Sequence, residues 1–198
     1  MKPKFFPRIV PFLIVTGMLN VTYASPLDFS WSAPKTYVHN KGTKGELCYI
    51  IWFYTLKNTI DKTILVPIDV FLKTDTGEKY TDTYYPELMD RVKELDEDYF
   101  EGKKYQYASI AKGELATNTT KHCVAMFEDI DPQAKQIEIF VTGISHFFFW
   151  RWRMIDYSYK ITYEKEANRW KLTEHGMTKD SSHRAYEAES GEGWIFDQ

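Results

Sequence analysis

The segment CYIIWFYTLK, residues 48–57, is apolar or aromatic at nearly every position. In an extended strand successive side chains point to opposite faces, so Trp52 and Tyr54 share one face while Ile51 and Phe53 share the other. A strand that exposes one face to water alternates apolar and polar residues, and this segment does not. The pattern therefore predicts a strand at the centre of a sheet.

Other segments have the alternation or the composition of strands. They are residues 64–72, 80–85, 105–111, 121–127, 136–142, 148–163 and 170–174. Pro67 predicts an edge or a bulge in its strand, because proline donates no ladder hydrogen bond. In the sixth segment the apolar positions change from even to odd at Met154 and Ile155, which predicts a bulge there. Short strands separated by turn signals favour a mainly β fold, an antiparallel β-sandwich.

One short helical insertion, at about residues 86–99, interrupts this series of strands. Pro86 is suited to the first turn of a helix, where no hydrogen-bond donor is needed. Apolar side chains then recur at the spacing of one helix face: Leu88, Val92, Leu95 and Tyr99. The insertion is therefore expected to be amphipathic.

The end of this insertion is acidic, with four carboxylates in residues 94–98 and another at Glu101. Such a run attracts a cation in some proteins, but a solvated helix face is its commoner role. We interpret the run as a solvated face.

The first 24 residues have the features of an export signal. Lys2, Lys4 and Arg8 precede an apolar core, residues 9–21, and the segment ends in small residues that favour cleavage before Ser25. An uncleaved anchor is the alternative, but thirteen apolar residues are fewer than the roughly 20 of a spanning helix. We therefore expect a periplasmic or extracellular protein of residues 25–198, with one domain, an irregular tail from about residue 175, and no stable membrane span.

The charge of the chain argues against nucleic acid as a partner. The formal net charge is −3, and it becomes −6 without Lys2, Lys4 and Arg8. A phosphate backbone needs a basic surface on the protein that binds it.

The chain has two cysteines, Cys48 and Cys123, and both lie after the expected signal. An even number of cysteines in an oxidising compartment predicts a disulfide between them. The alternative is a reactive or metal-binding Cys123 beside His122, but two ligands are too few for a metal site.

Five short motifs, in this order, resemble the immunoglobulin-like domains of exported bacterial proteins of unknown function. They are LKNT at 56–59, PIDV at 67–70, DTG at 75–77, GE at 113–114 and VAMF at 124–127. The resemblance covers about residues 47–143 and implies an immunoglobulin-like sandwich and export. It does not extend to the helix at Pro86 or to the chain after His146, and it implies no functional residue.

The run FFFWRWR, residues 147–153, is the most unusual in the chain. As one continuous strand it would have a wholly apolar face and a second face with Phe147, Phe149, Arg151 and Arg153. Aromatic and guanidinium groups together are suited to stacking on a partner, a sugar or lipid headgroups. The alternative is a core strand whose arginine heads reach water.

The segment 175–183 places two histidines, an aspartate and two serines within nine residues. A hydrolase or metal-dependent enzyme using His175, Asp180, Ser181 and His183 is therefore one hypothesis. A polar surface loop is the alternative, because triad members normally come from separate elements. Recognition residues often lie on such loops, so His175, Lys179 and His183 are further candidates for binding.

We therefore expect a non-enzymatic binding module of the cell envelope, with no cofactor and no metal. Its partner is expected to be an envelope protein or a surface ligand.

Overall fold

A computed structural model describes the chain in six ranges. They are residues 27–40, 46–144, 146–149, 153–156, 158–167 and 169–178. The strands, in chain order, are β1 (Leu27–Trp31), β2 (Lys35–Asn40), β3 (Glu46–Asn58), β4 (Ile64–Val66), β5 (Asp69–Thr74), β6 (Lys79–Thr81), β7 (Tyr105–Gln106), β8 (Gly113–Leu115), β9 (Thr120–Phe127), β10 (Gln136–Thr142), β11 (His146–Phe149), β12 (Arg153–Asp156), β13 (Ser158–Glu166) and β14 (Arg169–Thr178). The helical elements are a 3₁₀ turn (Pro86–Leu88), α1 (Met89–Leu95) and α2 (Ala108–Ala111). The protein is thus mainly β, with antiparallel sheets and few helices.

Sheet I is built around β3. Its edge strands β1 and β2 pair with opposite ends of β3, antiparallel, and β9 pairs antiparallel with the other side of β3. The short strand β7 then joins β9 in parallel. Trp52 and Ile51, on opposite faces of β3, are both fully buried. The prediction of a central strand covered on both faces is therefore confirmed.

Sheet II has the order β14–β13–β10–β5–β6 and is antiparallel throughout. Its central strand β10 has the predicted bounds, 136–142. Two small two-stranded sheets, β4–β8 and β11–β12, lie outside this order.

Two buried clusters cover the two faces of sheet I. The larger cluster combines inward-facing residues of sheet I, such as Trp52 and Phe127, with residues of sheet II, such as Leu72 and Ile139. The smaller cluster lies on the opposite face of sheet I. There the predicted helix places Leu88 and Val92 against Tyr49, Ile51, Phe53, Val124 and Met126. The amphipathic pattern is thus confirmed, although α1 ends at Leu95 rather than near Tyr99.

Three of the predicted strands are divided, shortened or partly replaced by a helix in the structure. The segment 64–72 divides into β4 and β5 on either side of Pro67, which lacks the N–H that would continue the ladder. Only residues 79–81 of the segment around 80–85 form a strand. Residues 105–111 contain the two-residue β7 and then α2, whose two alanines have high helix propensity.

The predicted strand 148–154, with a bulge near Met154, is wrong. The chain reverses between β11 and β12, and Phe149 pairs with Arg153. β11 and β12 form a separate two-stranded sheet before β13, and Met154 and Ile155 are neighbours within β12. The bulge lies elsewhere, where the β13–β14 register shifts between Thr162 and Tyr163.

Some predictions lie outside the described residues. These include the export signal, residues 1–24, and residues 179–198 of the expected tail. Residues 175–178 of that tail belong to β14, which corrects the expectation of an irregular segment from residue 175. Among the described residues, no helix is long and apolar enough to cross a membrane.

The carboxylate of Asp82, the residue after β6, connects two elements, α2 and β9. One carboxylate oxygen accepts a hydrogen bond from the backbone N–H of Ala108, at the start of α2, at 2.9 Å. The other accepts from the backbone N–H of Met126, in β9, at 3.0 Å. Burial raises the pKa of Asp82 to about 6, although both backbone hydrogen bonds act to lower it.

Because the pKa of Asp82 is raised, the free energy of unfolding is expected to fall as pH rises from about 4 to 7. Its native pKa lies above the unfolded value near 3.9, so its stabilising contribution is present at low pH and lost through pH 6. The difference in unfolding free energy between wild type and Asp82→Asn should fall by ~3 kcal/mol over this interval. Urea titrations of both proteins at several pH values measure it. A constant or rising difference would contradict the assignment.

Gly143 is expected to tolerate no side chain. Its φ is 73°, and an added Cβ would lie 2.2 Å from the carbonyl oxygen of Pro67. Gly143→Ala should therefore lower the unfolding free energy by about 3 kcal/mol or more, through backbone displacement added to strain. Gly102→Ala is the matched control, because Gly102 has a φ of 88° with nothing within 4 Å of an added Cβ. That control should lose only about 1 kcal/mol, and equal losses in denaturation would exclude the close-approach explanation.

Candidate binding surface

The candidate residue His175 lies on strand β14, where it pairs with Ile161 of β13. Its Nδ1 is 2.7 Å from the hydroxyl oxygen of Tyr159, and the two rings are stacked at a centroid distance of 6.0 Å. His175 is exposed, whereas Tyr159 is half-buried against the main core. A core residue thus holds the imidazole at the surface.

Two aromatic residues of β1 complete this cluster. The Trp31 ring centroid lies 5.4 Å from those of both Tyr159 and His175. Phe29 lies 5.1 Å from Trp31 and 5.6 Å from Tyr159. We call Phe29, Trp31, Tyr159 and His175 the aromatic patch; it joins the edge of sheet I to the end of sheet II.

The aromatic patch has apolar ring faces together with polar groups that have defined partners. Burial raises the pKa of Tyr159, so its hydroxyl remains protonated at neutral pH. That hydroxyl donates to Nδ1 when His175 carries its proton on Nε2. Nε2 then remains a donor for a partner. Met177, which pairs with Tyr159 across the β13–β14 ladder, is 40% exposed beside the patch.

The hairpin β11–β12 begins and ends close to the patch along the chain. Residue 157 alone separates β12 from β13, and Tyr159 pairs with Val141 near the end of β10. The backbone therefore places Phe147, Phe149 and Arg153 in a hairpin that follows this end of sheet II. Their expected arrangement as one strand face is corrected, because Phe149 and Arg153 lie on opposite strands of the hairpin. Arg151 lies outside the described residues.

The other candidates from the segment 175–183 also lie outside the described residues. They are Lys179, Asp180, Ser181 and His183. The hydrolase hypothesis therefore stays a prediction, with only His175 placed. Among the described residues, no group of three histidine, cysteine, aspartate or glutamate side chains is arranged to hold a metal ion.

The predicted Cys48–Cys123 disulfide is not formed in this structure, where both cysteines are free. Cys123 pairs with Tyr54 across the β3–β9 ladder, and Cys48 lies six residues from Tyr54 along β3. At the rise of a strand, six residues span about 20 Å, whereas bridged cysteines have Cα atoms within about 7 Å. The register of the two strands thus keeps the cysteines apart.

A second surface feature is a polar cleft on the face of sheet I that α1 partly covers. Four side chains form one row across the sheet: Ser30 pairs with Thr55, Thr55 with His122, and His122 with Tyr105. Residues that pair directly share a face, so this row crosses β1, β3, β9 and β7 on one side. All four residues line a cleft of about 280 Å³.

A buried ion pair forms one wall of this cleft. Asp96 and Lys103 form an ion pair, and their side chains are only 6% and 8% exposed. The hydroxyl of Tyr105 donates to Asp96 at 2.6 Å, and Lys103 also donates to the carbonyl oxygen of Asp98. Burial acts to raise the pKa of Asp96, but hydrogen bonds from Lys103, Tyr105 and the Asp98 backbone outweigh it and lower the pKa.

His122 is neutral at the floor of the cleft. Burial lowers its pKa first, and the positive charge of Lys103 lowers it further. The ring of Phe100 meets His122 edge-on at 5.7 Å. The cleft thus combines a neutral imidazole, two hydroxyl groups and an internally neutralised ion pair.

The sequence interpretation missed this cleft. The acidic run 94–98 was expected to be solvated, which holds for Glu94 and Glu97 but not for Asp96, which follows α1 and is buried against Lys103. A local signal was present, because Thr55 and His122 are where the two strand faces change from apolar to polar residues. Their pairing across the sheet was not readable from the sequence.

Comparisons with protein-family models, curated proteins and solved structures found no match for this chain. The immunoglobulin-like resemblance therefore stays a prediction.

The two cysteines should react with alkylating reagents in a fixed order. Cys48 is half-buried beside a pocket of about 530 Å³, whereas Cys123 is 1% exposed, and burial raises its pKa to about 12. Because the thiolate is the nucleophile, iodoacetamide should modify Cys48 in the native protein and Cys123 only after unfolding. Intact-mass analysis of wild type and Cys48→Ser measures the order. Absence of any alkylation before reduction would indicate a disulfide.

Proposed function

We propose that this protein is an exported, non-enzymatic binding module of the cell envelope with an immunoglobulin-like β-sandwich fold. The aromatic patch binds a partner protein, and the hairpin β11–β12 extends the contact. The observation that carries the proposal is the Trp31–Tyr159–His175 cluster, because it holds an exposed imidazole on a rigid aromatic base.

The energetics of protein interfaces support this choice of surface. Aromatic residues in a fixed conformation supply much of the binding energy, since they bury a large area and lose little conformational freedom. Trp31 and Tyr159 are already half-buried and ordered by the main core. A partner that covers them therefore gains apolar contact without having to order a loop.

The sandwich part of the proposal is supported by the arrangement of apolar side chains. Inward-facing residues of sheets I and II belong to the same buried cluster. Two antiparallel sheets with a common apolar layer are typical of sandwiches. Export is proposed from residues 1–24 alone.

A photocrosslinking experiment in cells tests the binding surface. Benzoylphenylalanine is placed at position 177 of the tagged full-length chain, because Met177 is 40% exposed beside the patch and its replacement leaves His175 in place; adducts are identified by mass spectrometry. Position 172 is the matched control, because Leu172 is 43% exposed on the same strand and outside the patch. We expect one stoichiometric envelope protein captured from position 177 and little from position 172. Equal capture, or capture from neither position, would refute the surface.

Substitution at the patch should weaken binding without unfolding the protein. His175→Ala removes an exposed side chain, so we expect capture of the partner to fall about tenfold while the melting temperature changes little. Leu172→Ala is the control and should leave capture unchanged. If His175→Ala lowers stability and capture together, the residue is structural.

The N-terminus of the bait, found by the same mass spectrometry, should be Ser25 because the signal is expected to be cleaved before it. An intact Met1 would refute cleavage but would not bear on the binding surface.

A further inference from the structure

We propose that the polar cleft on sheet I binds one neutral sugar ring. Its floor lies on the opposite face of sheet I from the aromatic patch, and Trp31 is the one patch residue that also lines the cleft. The row Ser30–Thr55–His122–Tyr105 forms its floor, and the segment from Asp96 to Lys103 forms one wall. This inference goes beyond the proposed function, because sugar binding in the cleft and partner binding at the patch are tested by different variants.

The floor of the cleft presents hydrogen-bonding groups to a ligand. Ser30 and Thr55 each present a hydroxyl that both donates and accepts, and neutral His122 presents one donor and one acceptor. No hydrogen bond among the described residues engages the side chains of these three residues, whereas Tyr105 already donates to Asp96. The row therefore offers both donors and acceptors, as the hydroxyl groups of a sugar require.

The row of polar side chains lies next to the part of sheet I that α1 covers. On the same face, Phe53 and Val124 are buried beneath α1, and the next positions along their strands are Thr55 and His122. Apolar residues at these two positions would extend the covered cluster. Instead, polar side chains begin where the helix stops covering the sheet, which leaves a concave polar surface.

The charge of the cleft excludes the main alternatives. Lys103 is neutralised by Asp96, and Asp98 adds a negative charge, so an anion such as phosphate would meet net repulsion. A metal ion lacks ligands, because the described residues contain no group of three suitable side chains. A neutral ligand rich in hydroxyl groups satisfies both constraints.

Size and an aromatic neighbour complete the argument. Ligand pockets usually measure about 300–1,000 Å³, and the cleft, at about 280 Å³, is suited to one small ring. Phe100 is 53% exposed and lies beside the cleft, where its ring meets His122 at 5.7 Å and Lys103 Nζ lies 5.8 Å from its centroid. The exposed part of this ring offers an apolar contact to the C–H face of a pyranose, of the kind that aromatic side chains make.

Nuclear magnetic resonance of the full chain tests the proposal with defined probes. Methyl α-glucoside, methyl β-galactoside and N-acetylglucosamine are titrated to about 50 mM, a range that detects millimolar dissociation constants. Inorganic phosphate and calcium chloride are titrated separately. We expect at least one sugar to shift the amide resonances of Thr55 and His122, and neither ion to do so.

Two conservative variants locate the site. Thr55→Val replaces a hydroxyl with a methyl group and Ser30→Ala removes a hydroxyl, and each should weaken sugar binding about five- to tenfold. Thr63→Val and Ser109→Ala are the matched controls, since both residues are exposed and outside the cleft. Spectra of all variants in the absence of sugar report on folding. Failure of all three sugars to bind, binding of phosphate or calcium at His122, or equal affinity in variants and controls would each overturn the proposal.

Discussion

The burial of β3 on both faces is the constraint on which the rest of the structure depends. Trp52 and Ile51 are neighbours in sequence, point in opposite directions and are both inaccessible to water. Each large side chain buried in this way contributes about 1.5–3 kcal/mol, so neither face can be left exposed. The inward face belongs to the cluster with residues of sheet II, and the outward face is covered by α1.

The cover on the outward face is incomplete, and this explains the polar cleft. Helix α1 has only seven residues, about 10 Å of length, and it covers β3 as far as Phe53. Beyond that point the face carries Thr55 and His122. The segment after α1 remains close to this surface because Asp96 is held by Lys103 and Tyr105. A short helix and a buried ion pair together leave a concave surface with a polar floor.

The aromatic patch has a different origin, at the meeting of two strand edges. β1 belongs to sheet I and β14 to sheet II, yet Trp31 and His175 are in ring contact. Near the other end of β14, Trp170 donates to the hydroxyl of Thr36 on β2. The two edges are therefore fixed to each other, and the patch is a rigid surface. The hairpin β11–β12 is added at the end of the same sheet.

The sequence by itself determined the elements whose signal is local. The run 48–57, the strand 136–142 and the helix face of Leu88 and Val92 each depend on the spacing of apolar residues, which the chain carries without reference to its neighbours. The same alternation of apolar residues can come from one bulged strand or from a hairpin, and there the sequence pattern gave the wrong prediction. The switch at Met154 predicted a bulge, whereas the structure has a hairpin followed by a new strand.

Only the tertiary structure decided which residues meet. Ser30, Thr55, His122 and Tyr105 come from four strands that are distant in sequence, and they form one row because strand register aligns them. The same register separates Cys48 from Cys123, although their number and expected compartment predicted a bridge. Register depends on the summed packing of both sheet faces. This packing involves contacts between segments that are distant in sequence. The register therefore cannot be read from the composition or periodicity of one segment.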